Sequence, residues 1–386
     1  MDKTQHKKSA KSPPATKARY IMIGGFLGAG KTTAVGKLAQ RLTGQGLRVG
    51  LITNDQGRNL VDTAMLRSQG FATEEILGGC FCCRFNSLVD AAAKLTAQCR
   101  PDVFIAEPVG SCTDLAATVA YPLRRLHGAK FTVAPVSVLI DPIRALRVFG
   151  LEKGASFSEQ VLYIYDKQIE EADLVIISKS DLLDAARLGA LRAAIALKFP
   201  GKEILAVSAR DGTNLDTWFA RITNDEQAGG KAMDVDYQVY ADGEARLGWL
   251  NCTVLLDARK GFDSDKFLKR MAQEVQMRLQ ARTAEVAHLK MTLSPNSGRL
   301  GEIAVVNLVR NDFIPESSLR LESPVTDGQL IINLRAEAAP DVLGTVVREA
   351  LAASAGAFPT MKATLDHLEH FRPGKPSPTH RFETPK

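Results

Sequence analysis

Residues 25–32 form a glycine-rich segment that ends in lysine and threonine, Gly-Phe-Leu-Gly-Ala-Gly-Lys-Thr, directly after an apolar run. Glycines let successive backbone N–H groups turn toward an anion, and a helix that begins at Lys31 would point its positive end at the same anion. Lys31 would reach the β- and γ-phosphates of a nucleotide, and the Thr32 hydroxyl would bind Mg²⁺. This spacing predicts a P-loop. The predicted nucleotide-binding residues here are Gly25, Gly28, Ala29, Gly30, Lys31, Thr32 and Thr33.

Two acidic residues follow predicted strands of the same sheet. Glu107 begins the segment Glu-Pro-Val-Gly, and Asp55 lies in the segment Asn-Asp-Gln-Gly. Carboxylate oxygens are ligands that Mg²⁺ prefers, so Glu107 and Asp55 join Thr32 as predicted magnesium ligands. Gly110 is predicted to sense the γ-phosphate, and Lys31, Glu107 and Gly110 form the predicted catalytic set. For each segment taken alone, an ordinary turn is the alternative interpretation.

A third segment, Ser178-Lys179-Ser180-Asp181, is similar to the Asn-Lys-x-Asp motif of GTPases. In that motif the carboxylate accepts both guanine N–H groups and the lysine stem packs along the base. Lys179 and Asp181 match the motif, whereas Ser178 replaces the asparagine and lacks its amide. Ser208 and Ala209 follow the next predicted strand, where a backbone N–H commonly contacts guanine O6. These residues favour guanine over adenine.

Three cysteines lie within four residues in the segment Gly-Gly-Cys-Phe-Cys-Cys, namely Cys80, Cys82 and Cys83. Such a cluster of thiols suits a borderline or soft cation such as Zn²⁺, Co²⁺ or Cu⁺, and the spacing does not identify a fourth ligand. A redox-active dithiol or small buried side chains are the alternatives. The remaining cysteines, Cys99, Cys112 and Cys252, are isolated in the sequence, and we interpret each as a small core residue.

Apolar strands alternate with amphipathic helices from residue 20 onward, which predicts a mostly parallel sheet flanked by helices. We place this α/β P-loop domain at residues 20–222, after a basic tail (1–19). A polar linker (223–236) leads to a smaller α+β domain (237–357) and a C-terminal tail (358–386). The predicted strands of the first domain are Tyr20–Gly24, Arg48–Thr53, Asp102–Ala106, Val133–Ile140, Asp173–Ser178 and Glu203–Val207.

The charge and the apolar content of the chain limit the classes of partner that we expect. The net charge is +6, but residues 1–19 carry six basic residues and one acidic residue, which leaves the rest near neutrality. We therefore expect a solvated tail and no nucleic-acid partner. No apolar run is long enough to span a bilayer, and the N-terminal residues lack the apolar core of a secretory signal. We expect a cytoplasmic protein without a membrane partner and with reduced cysteines, and we allow for a homo-oligomer.

The motifs GGFLGAGKTT, GGCFCC, EPVG and SKSD occur in the same order as in the CobW-like GTPases, which this chain resembles. That group is related to the HypB and UreG nickel chaperones. The resemblance implies a GTP-dependent metallochaperone or insertase. In it, Lys31 and Thr32 would hold phosphate and Mg²⁺, and Glu107 would lie at the Mg²⁺ site. Lys179 and Asp181 would read guanine, and the three clustered cysteines would hold the transported metal, with zinc or cobalt as the expected cargo.

The chain departs from the family pattern at four places. Asp55 shortens the usual glutamate, Ser178 replaces asparagine, no histidine-rich stretch is present, and the segment at Glu107 continues as EPVGSCTDL instead of the usual Ser/Gly-rich sequence. We expect GTP with Mg²⁺ to close the site, and hydrolysis to release the ion to an unidentified client metalloprotein or cofactor-assembly protein. Two other classes remain as alternatives. One is a nucleotide-gated regulatory protein without metal cargo, and the other is a P-loop small-molecule kinase.

Overall fold

The computed structural model describes residues 17–54, 61–296 and 302–385, so the predicted magnesium ligand Asp55 lies outside the described residues. The predicted alternation of strands and helices in the first domain is confirmed. Its strands are β1 (Ala18–Gly25), β2 (Val49–Asn54), β3 (Ala72–Ile76), β4 (Val103–Glu107), β5 (Phe131–Val133), β6 (Ser137–Ile140), β7 (Leu174–Ile177) and β8 (Glu203–Ala206). Its helices are α1 (Lys31–Gly44), α2 (Val61–Ser68), α3 (Phe85–Cys99), α4 (Tyr121–His127), α5 (Pro142–Val148), α6 (Glu159–Glu171), α7 (Ala185–Lys198) and α8 (Leu215–Asn224).

The strand order of the first sheet is β3-β2-β4-β1-β6-β7-β8, and β5 pairs with the first half of β1. Every pairing in this sheet is parallel. The inner strands β2, β4, β6 and β7 are buried on both faces because helices cover both sides, which explains their nearly continuous apolar sequences. In a parallel sheet all carboxyl ends meet at one edge, where ligands bind. The P-loop, Glu107 and Lys179 therefore converge at that edge.

The second domain is an antiparallel sheet with two helices on one face. It comprises α9 (Tyr237–Arg246), β9 (Leu247–Phe262), α10 (Ser264–Gln280), β10 (Val286–Ser294), β11 (Ala304–Leu308), β12 (Glu316–Leu319), β13 (Val325–Glu337), α11 (Pro340–Gly356) and β14 (Met361–Phe371). The strand order is β12-β11-β10-β13-β9-β14. Side chains alternate along β10, so that Leu289, Met291 and Leu293 join the core beneath the helices. His288 and Lys290 consequently project from the opposite face, which lies against the first domain.

Several elements differ from the predictions. The expected strand Val133–Ile140 is two strands, β5 and β6. They pair with successive parts of β1, β5 with its first residues and β6 with its last. Strand β3 was not predicted, because its sequence Ala-Thr-Glu-Glu-Ile is half polar and lies at the sheet edge. The segment 358–386, which we predicted as a C-terminal tail, contains β14, the edge strand that pairs with β9. The domain boundaries at residues 222 and 237 remain a prediction.

Candidate functional site

The P-loop connects β1 to α1 with a backbone geometry that only glycine allows at its first position. Gly25 has φ +125°, and a Cβ there would lie 2.2 Å from the carbonyl oxygen of Leu139. Helix α1 begins at Lys31 without a side-chain cap, so its first N–H groups remain for an anion. Lys31 Nζ donates hydrogen bonds to the carbonyl oxygens of Gly25 (2.9 Å) and Phe26 (3.3 Å). The lysine is thus held along the loop that would wrap the phosphates.

An oxygen cluster lies beside the P-loop where Mg²⁺ was predicted. Thr32 Oγ1 lies 2.9 Å from Glu107 Oε1 and 2.7 Å from Asp62 Oδ1. Glu107 Oε2 is buried and has no hydrogen-bond partner. Hydroxyl and carboxylate oxygens suit Mg²⁺, and an unpartnered buried carboxylate oxygen is a position where a cation fits. The residues present therefore fit a magnesium ion.

Asp62 is a member of this cluster that the sequence did not reveal. It lies in the first turn of α2, eight residues after the end of β2. In the sequence it is one of two acidic residues between β2 and β3, and no motif distinguishes it. Its position beside Thr32 depends on how α2 packs on α1, which the local sequence does not encode. Asp62 therefore becomes a candidate ligand for Mg²⁺.

A lysine from the second domain occupies the same cluster. Lys290 Nζ, on β10, donates a hydrogen bond to Thr32 Oγ1 (3.1 Å) and forms a salt bridge with Asp62. An ammonium group and a magnesium ion compete for the same oxygen ligands, since both are cations. In this structure Lys290 therefore lies where Mg²⁺ is expected to bind. No sequence motif points to Lys290, because it is 258 residues from Thr32.

The pKa values in this cluster reflect burial and opposing charges. Burial, with the nearby charge of Asp62, raises the pKa of Glu107 to about 7. Burial lowers the pKa of Lys31 to about 8, although Glu107 opposes this effect. Burial alone would raise the pKa of Asp62, but the adjacent Lys290 lowers it overall. Glu107 is therefore about half protonated near pH 7 until a cation binds.

The predicted base-binding residues come together at the ends of β7 and β8. Asp181 accepts hydrogen bonds from Ser208 Oγ (2.8 Å) and from Arg210 (3.2 Å). Lys179 Nζ donates to the carbonyl oxygen of Gly28 at 2.9 Å, so the lysine bridges the base site and the P-loop. Ser178 Oγ donates a hydrogen bond to the carbonyl oxygen of Ile140 (2.9 Å). This hydroxyl therefore links two neighbouring strands instead of binding a ligand.

A buried ion-pair network also joins this region to the second domain. Asp141 caps the N-terminus of α5 and forms salt bridges with Lys179 and with Arg310, each at 2.9 Å. Arg310 follows β11 of the second domain, and the side chains of Arg310 and Asp141 are 5% and 3% exposed. Burial would raise the pKa of Asp141, but Lys179 and Arg310 lower it to about 2. The network fixes the second domain against the P-loop.

The second domain also forms one wall of the nucleotide pocket. A cavity of about 680 Å³ extends from the P-loop past Lys179 and Asp181 to the loop before β12 and to β12 itself. This volume lies within the usual range of about 300–1,000 Å³ for small-molecule sites. Arg210 bridges the two sides, since it pairs with Asp181 and with Glu316 of β12 (3.0 Å). A nucleotide in this cavity would contact both domains.

The three clustered thiols meet on one side of the loop before α3. The sulfur atoms are 2.7 Å apart for Cys80 and Cys82, 3.3 Å for Cys80 and Cys83, and 3.6 Å for Cys82 and Cys83. Hydrogen bonds from neighbouring thiols, that of Cys112 first, hold the pKa of Cys80 well below its usual range. The hydrogen bond to Cys80 raises the pKa of Cys83 to about 11. Cys80 is thus the thiol that deprotonates first.

Two contacts shape the surroundings of these thiols. Asn54 Nδ2, at the end of β2, donates to the carbonyl oxygens of Ile76 (3.0 Å) and Gly79 (2.7 Å), which ties the thiol loop to the end of that strand. The C-terminal tail crosses the cluster on the other side. Ser377 N donates to Cys83 Sγ (3.2 Å), and Thr379 N donates to the carbonyl oxygen of Cys82 (2.8 Å). Residues 377–379 therefore cover the thiols.

Residues 19–205 match the family model described as "CobW/HypB/UreG, nucleotide-binding domain". The matched segment, just under half of the chain, is similar to this family. The resemblance stated from the motifs is thereby confirmed for the segment that carries the P-loop and the thiol cluster. CobW/HypB/UreG domains are P-loop nucleotide-binding domains, in agreement with the geometry at Gly25 to Thr32.

Two curated relatives show similarity to about half of this chain. A protein named zinc chaperone CobW from Sinorhizobium sp is 29% identical over 213 residues, which is 50% of this chain and 58% of that protein. A protein of the same name from Pseudomonas aeruginosa is 26% identical over 216 residues, again 50% of this chain and 57% of that protein. The matches thus span little more than half the length of these CobW relatives.

Two solved structures are similar to this chain in part. Zn(II)-bound YjiA GTPase from E. coli is 14% identical, covers 88% of this chain and 99% of its own, and has a TM-score of 0.39. HypB from Helicobacter pylori in complex with nickel is 18% identical, covers 55% of this chain and 90% of its own, and has a TM-score of 0.39. Scores of this size carry no information on function. Within the described residues, no helix is long and apolar enough to cross a bilayer.

Proposed function

We propose that this chain is a GTP-hydrolysing metallochaperone that binds a transition metal, Zn²⁺ or Co²⁺, through Cys80, Cys82 and Cys83 and delivers it to a client. The observation that carries this proposal is the position of the three sulfur atoms, which lie within 4.8 Å of one another on the same domain as the P-loop. Thiolates at this spacing select a borderline or soft cation. Cytoplasmic location, an unidentified client and a self-associated state belong to the same proposal.

The nucleotide half of the mechanism follows from the P-loop and the oxygen cluster. Backbone N–H groups and Lys31 would bind the phosphates, while Thr32, Glu107 and Asp62 would hold Mg²⁺ (Asp55 remains a proposed ligand). Bound Mg²⁺ would supply charge neutralisation at the phosphate oxygens. Gly110 closely approaches the P-loop, where an added Cβ would lie 2.7 Å from Leu27. The segment from Glu107 to Gly110 would therefore respond when a γ-phosphate is bound or lost.

Guanine selectivity is proposed on Lys179 and Asp181, supported by Ser208 and the backbone at Ala209. Ser208 fixes one carboxylate oxygen of Asp181, which presets the carboxylate for two parallel N–H donors. The test compares GTP and ATP binding by the wild type and by Asp181→Ala. We expect loss of GTP binding with little change for ATP. Equal affinity of the wild type for both nucleotides would contradict guanine selectivity.

Coupling between nucleotide and metal has a physical route in Asn54. This residue joins the end of β2 to the loop that carries the cysteines, because its amide donates to the carbonyl oxygen of Gly79. Asn54 ends β2 at the same edge of the sheet as the P-loop, so a change at that edge would reach Gly79 through one hydrogen bond. Binding of GTP would tighten the thiol site, and hydrolysis would loosen it.

The decisive experiment is equilibrium metal competition with and without a non-hydrolysable GTP analogue, with bound metal measured by elemental analysis. We expect stoichiometric Zn²⁺ or Co²⁺ that binds more tightly with the analogue and is lost in the Cys82→Ala, Cys83→Ala double variant. A Cys99→Ala variant serves as the control, since Cys99 Sγ donates to the carbonyl oxygen of Leu95, away from the cluster. Metal binding that is unchanged in the double variant would overturn the proposal.

A further inference from the structure

The last described residues of the chain run across the first domain after β14 has ended at Phe371. Residues 372–385 form neither a helix nor a strand. A segment without regular structure keeps one path only where the surface beneath it binds its side chains and backbone groups. Such contacts are concentrated in residues 377–383, which we call the strap. Its first part, 377–379, covers the thiols, and its second part, 380–383, forms an anchor beside them.

Arg381 anchors the strap through an ion pair with a buried carboxylate. Its Nε donates a hydrogen bond to Asp114 Oδ2 (2.8 Å), and its Nη2 donates to the carbonyl oxygen of Met233 (2.8 Å). The side chain of Asp114 is 2% exposed, and the hydroxyl of Tyr237 donates to the same carboxylate oxygen (2.6 Å). A buried charge is stable only when it is paired and hydrogen-bonded, so Arg381 has a specific binding position on the protein.

Aromatic contacts complete the anchor. The guanidinium of Arg125 lies 4.2 Å from the centroid of the Phe382 ring, within the range of a cation–π interaction. The His380 ring meets the Phe85 ring edge to face, with the two centroids 5.2 Å apart. Phe85 follows Cys83 by two residues. The anchor therefore packs directly beside the loop that carries the thiols.

The cover over the thiols is held by weaker contacts than the anchor. Ser377 N donates to Cys83 Sγ (3.2 Å). Thr379 N donates to the carbonyl oxygen of Cys82 (2.8 Å), and Thr379 Oγ1 donates to that of Cys83 (3.1 Å). Ser377 and Thr379 are exposed, so water competes for each of these neutral hydrogen bonds. Cys80 and Cys82 are buried and Cys83 is partly exposed, so the way from solvent to the sulfur atoms passes Cys83, where the strap crosses.

The anchor limits how far the cover can lift. An extended chain spans at most about 3.5 Å per residue, so the two residues from Thr379 to Arg381 allow a movement of about 7 Å. Before the cover, Pro373 and Pro376 are buried, which holds the other end of the segment. A wide opening above the thiols therefore requires that Arg381 leaves Asp114.

We propose that the strap is a gate. The metal enters and leaves the site of Cys80, Cys82 and Cys83 only when residues 377–379 lift, and the pairing of Arg381 with Asp114 sets how often they do. This inference rests on the proposed function, because the ion that passes the gate is the cargo. The strap is a cover and supplies no ligand, so it closes equally over the empty and the loaded site. It therefore slows uptake and release by the same factor and leaves the equilibrium affinity unchanged.

The test measures rates and affinity separately in the full-length protein, with Co²⁺ as the probe ion. Stopped-flow absorbance of the Co²⁺–thiolate band follows uptake, transfer to excess EDTA follows release, and equilibrium competition gives the dissociation constant. In Arg381→Gln we expect both rates to rise at least about tenfold at an unchanged dissociation constant, because the strap loses a hydrogen bond between charged groups. Arg372→Gln is the matched control, since Arg372 is an exposed arginine of the same segment, nine residues before Arg381.

A second variant separates gating from damage to the fold. Phe382→Ala removes the contact with Arg125 and leaves the buried carboxylate of Asp114 paired, and both rates should rise in this variant too. Unchanged rates in Phe382→Ala and Arg381→Gln would overturn the gate. A weaker affinity with an unchanged uptake rate would also overturn it, because the strap would then supply a ligand, for which His380 is the candidate.

Failure of the gate and failure of the proposed function are distinguishable. Wild-type protein that binds no metal would refute the proposed function. The gate is then tested by the rate at which iodoacetamide alkylates Cys83, a reaction that needs no metal. Faster alkylation in Arg381→Gln than in Arg372→Gln would support the gate, and equal rates would overturn it.

Discussion

Binding of Mg²⁺ and nucleotide is expected to release a proton from Glu107, and this release makes the affinity depend on pH. Burial and the charge of Asp62 raise the pKa of Glu107 to about 7, whereas its unperturbed value is 4.5. Mg²⁺ needs the ionised carboxylate, so a proton competes with the metal below pH 7. Lys31, whose pKa is about 8, stays protonated across this range and does not add to the effect.

The magnitude follows from that pKa. The fraction of Glu107 that is ionised falls from about one half at pH 7 to about one hundredth at pH 5, which lowers the apparent affinity about fiftyfold. A pKa that is raised in the folded state makes the free energy of unfolding fall as the pH rises. The folded state binds a proton more tightly than the unfolded state, so about 3 kcal/mol of stability present below pH 4.5 is lost as the pH rises through 7. Mg²⁺ binding would offset that loss.

The assay is a fluorescence titration of a labelled GTP analogue at fixed Mg²⁺ from pH 5 to pH 7.5, repeated with Glu107→Gln. The nucleotide's own phosphate protonation affects both proteins equally, so the ratio of their affinities isolates Glu107. Calorimetry in two buffers of different ionisation enthalpy measures the proton that is released. Parallel pH profiles for the two proteins, with no proton released by the wild type at pH 6, would refute this reasoning.

Three further outcomes are expected. Arg310→Met should lower the free energy of unfolding by about 3–5 kcal/mol in urea titrations, because it leaves the buried carboxylate of Asp141 without that partner; a loss under 1 kcal/mol would show that Lys179 compensates. Lys290→Met should increase the thermal stabilisation by Mg²⁺ and the GTP analogue relative to the wild type, because Asp62 then lacks the lysine as its partner cation. A thermal stabilisation smaller than that of the wild type would mean that Lys290 helps to bind the nucleotide. Truncation after residue 376 should speed alkylation of Cys83, measured by mass spectrometry against Cys99, and an unchanged rate would contradict coverage by the tail.

The sequence predicted those parts of the site whose chemistry depends on the spacing of residues along the chain. The P-loop needs glycines at fixed offsets before a lysine and a threonine, and three thiols within four residues meet through a single turn. The parallel sheet followed from apolar runs that alternate with amphipathic helices. Residues such as Glu107, Lys179 and Asp181 were found because they follow such runs, and the carboxyl ends of parallel strands share one edge.

Only the tertiary structure decided which residues from distant segments of the chain pair with one another. Lys290 reaches Thr32, Arg310 pairs with Asp141, and Arg210 pairs with Glu316. None of these pairs has a local pattern, because each depends on how one layer of secondary structure packs on another. The sequence predicted a smaller α+β domain, but not that one face of its sheet would line the cavity beside the P-loop. The alternation of side chains along a strand gives the sheet two faces. The packing of the two domains decides which ligand one of these faces contacts.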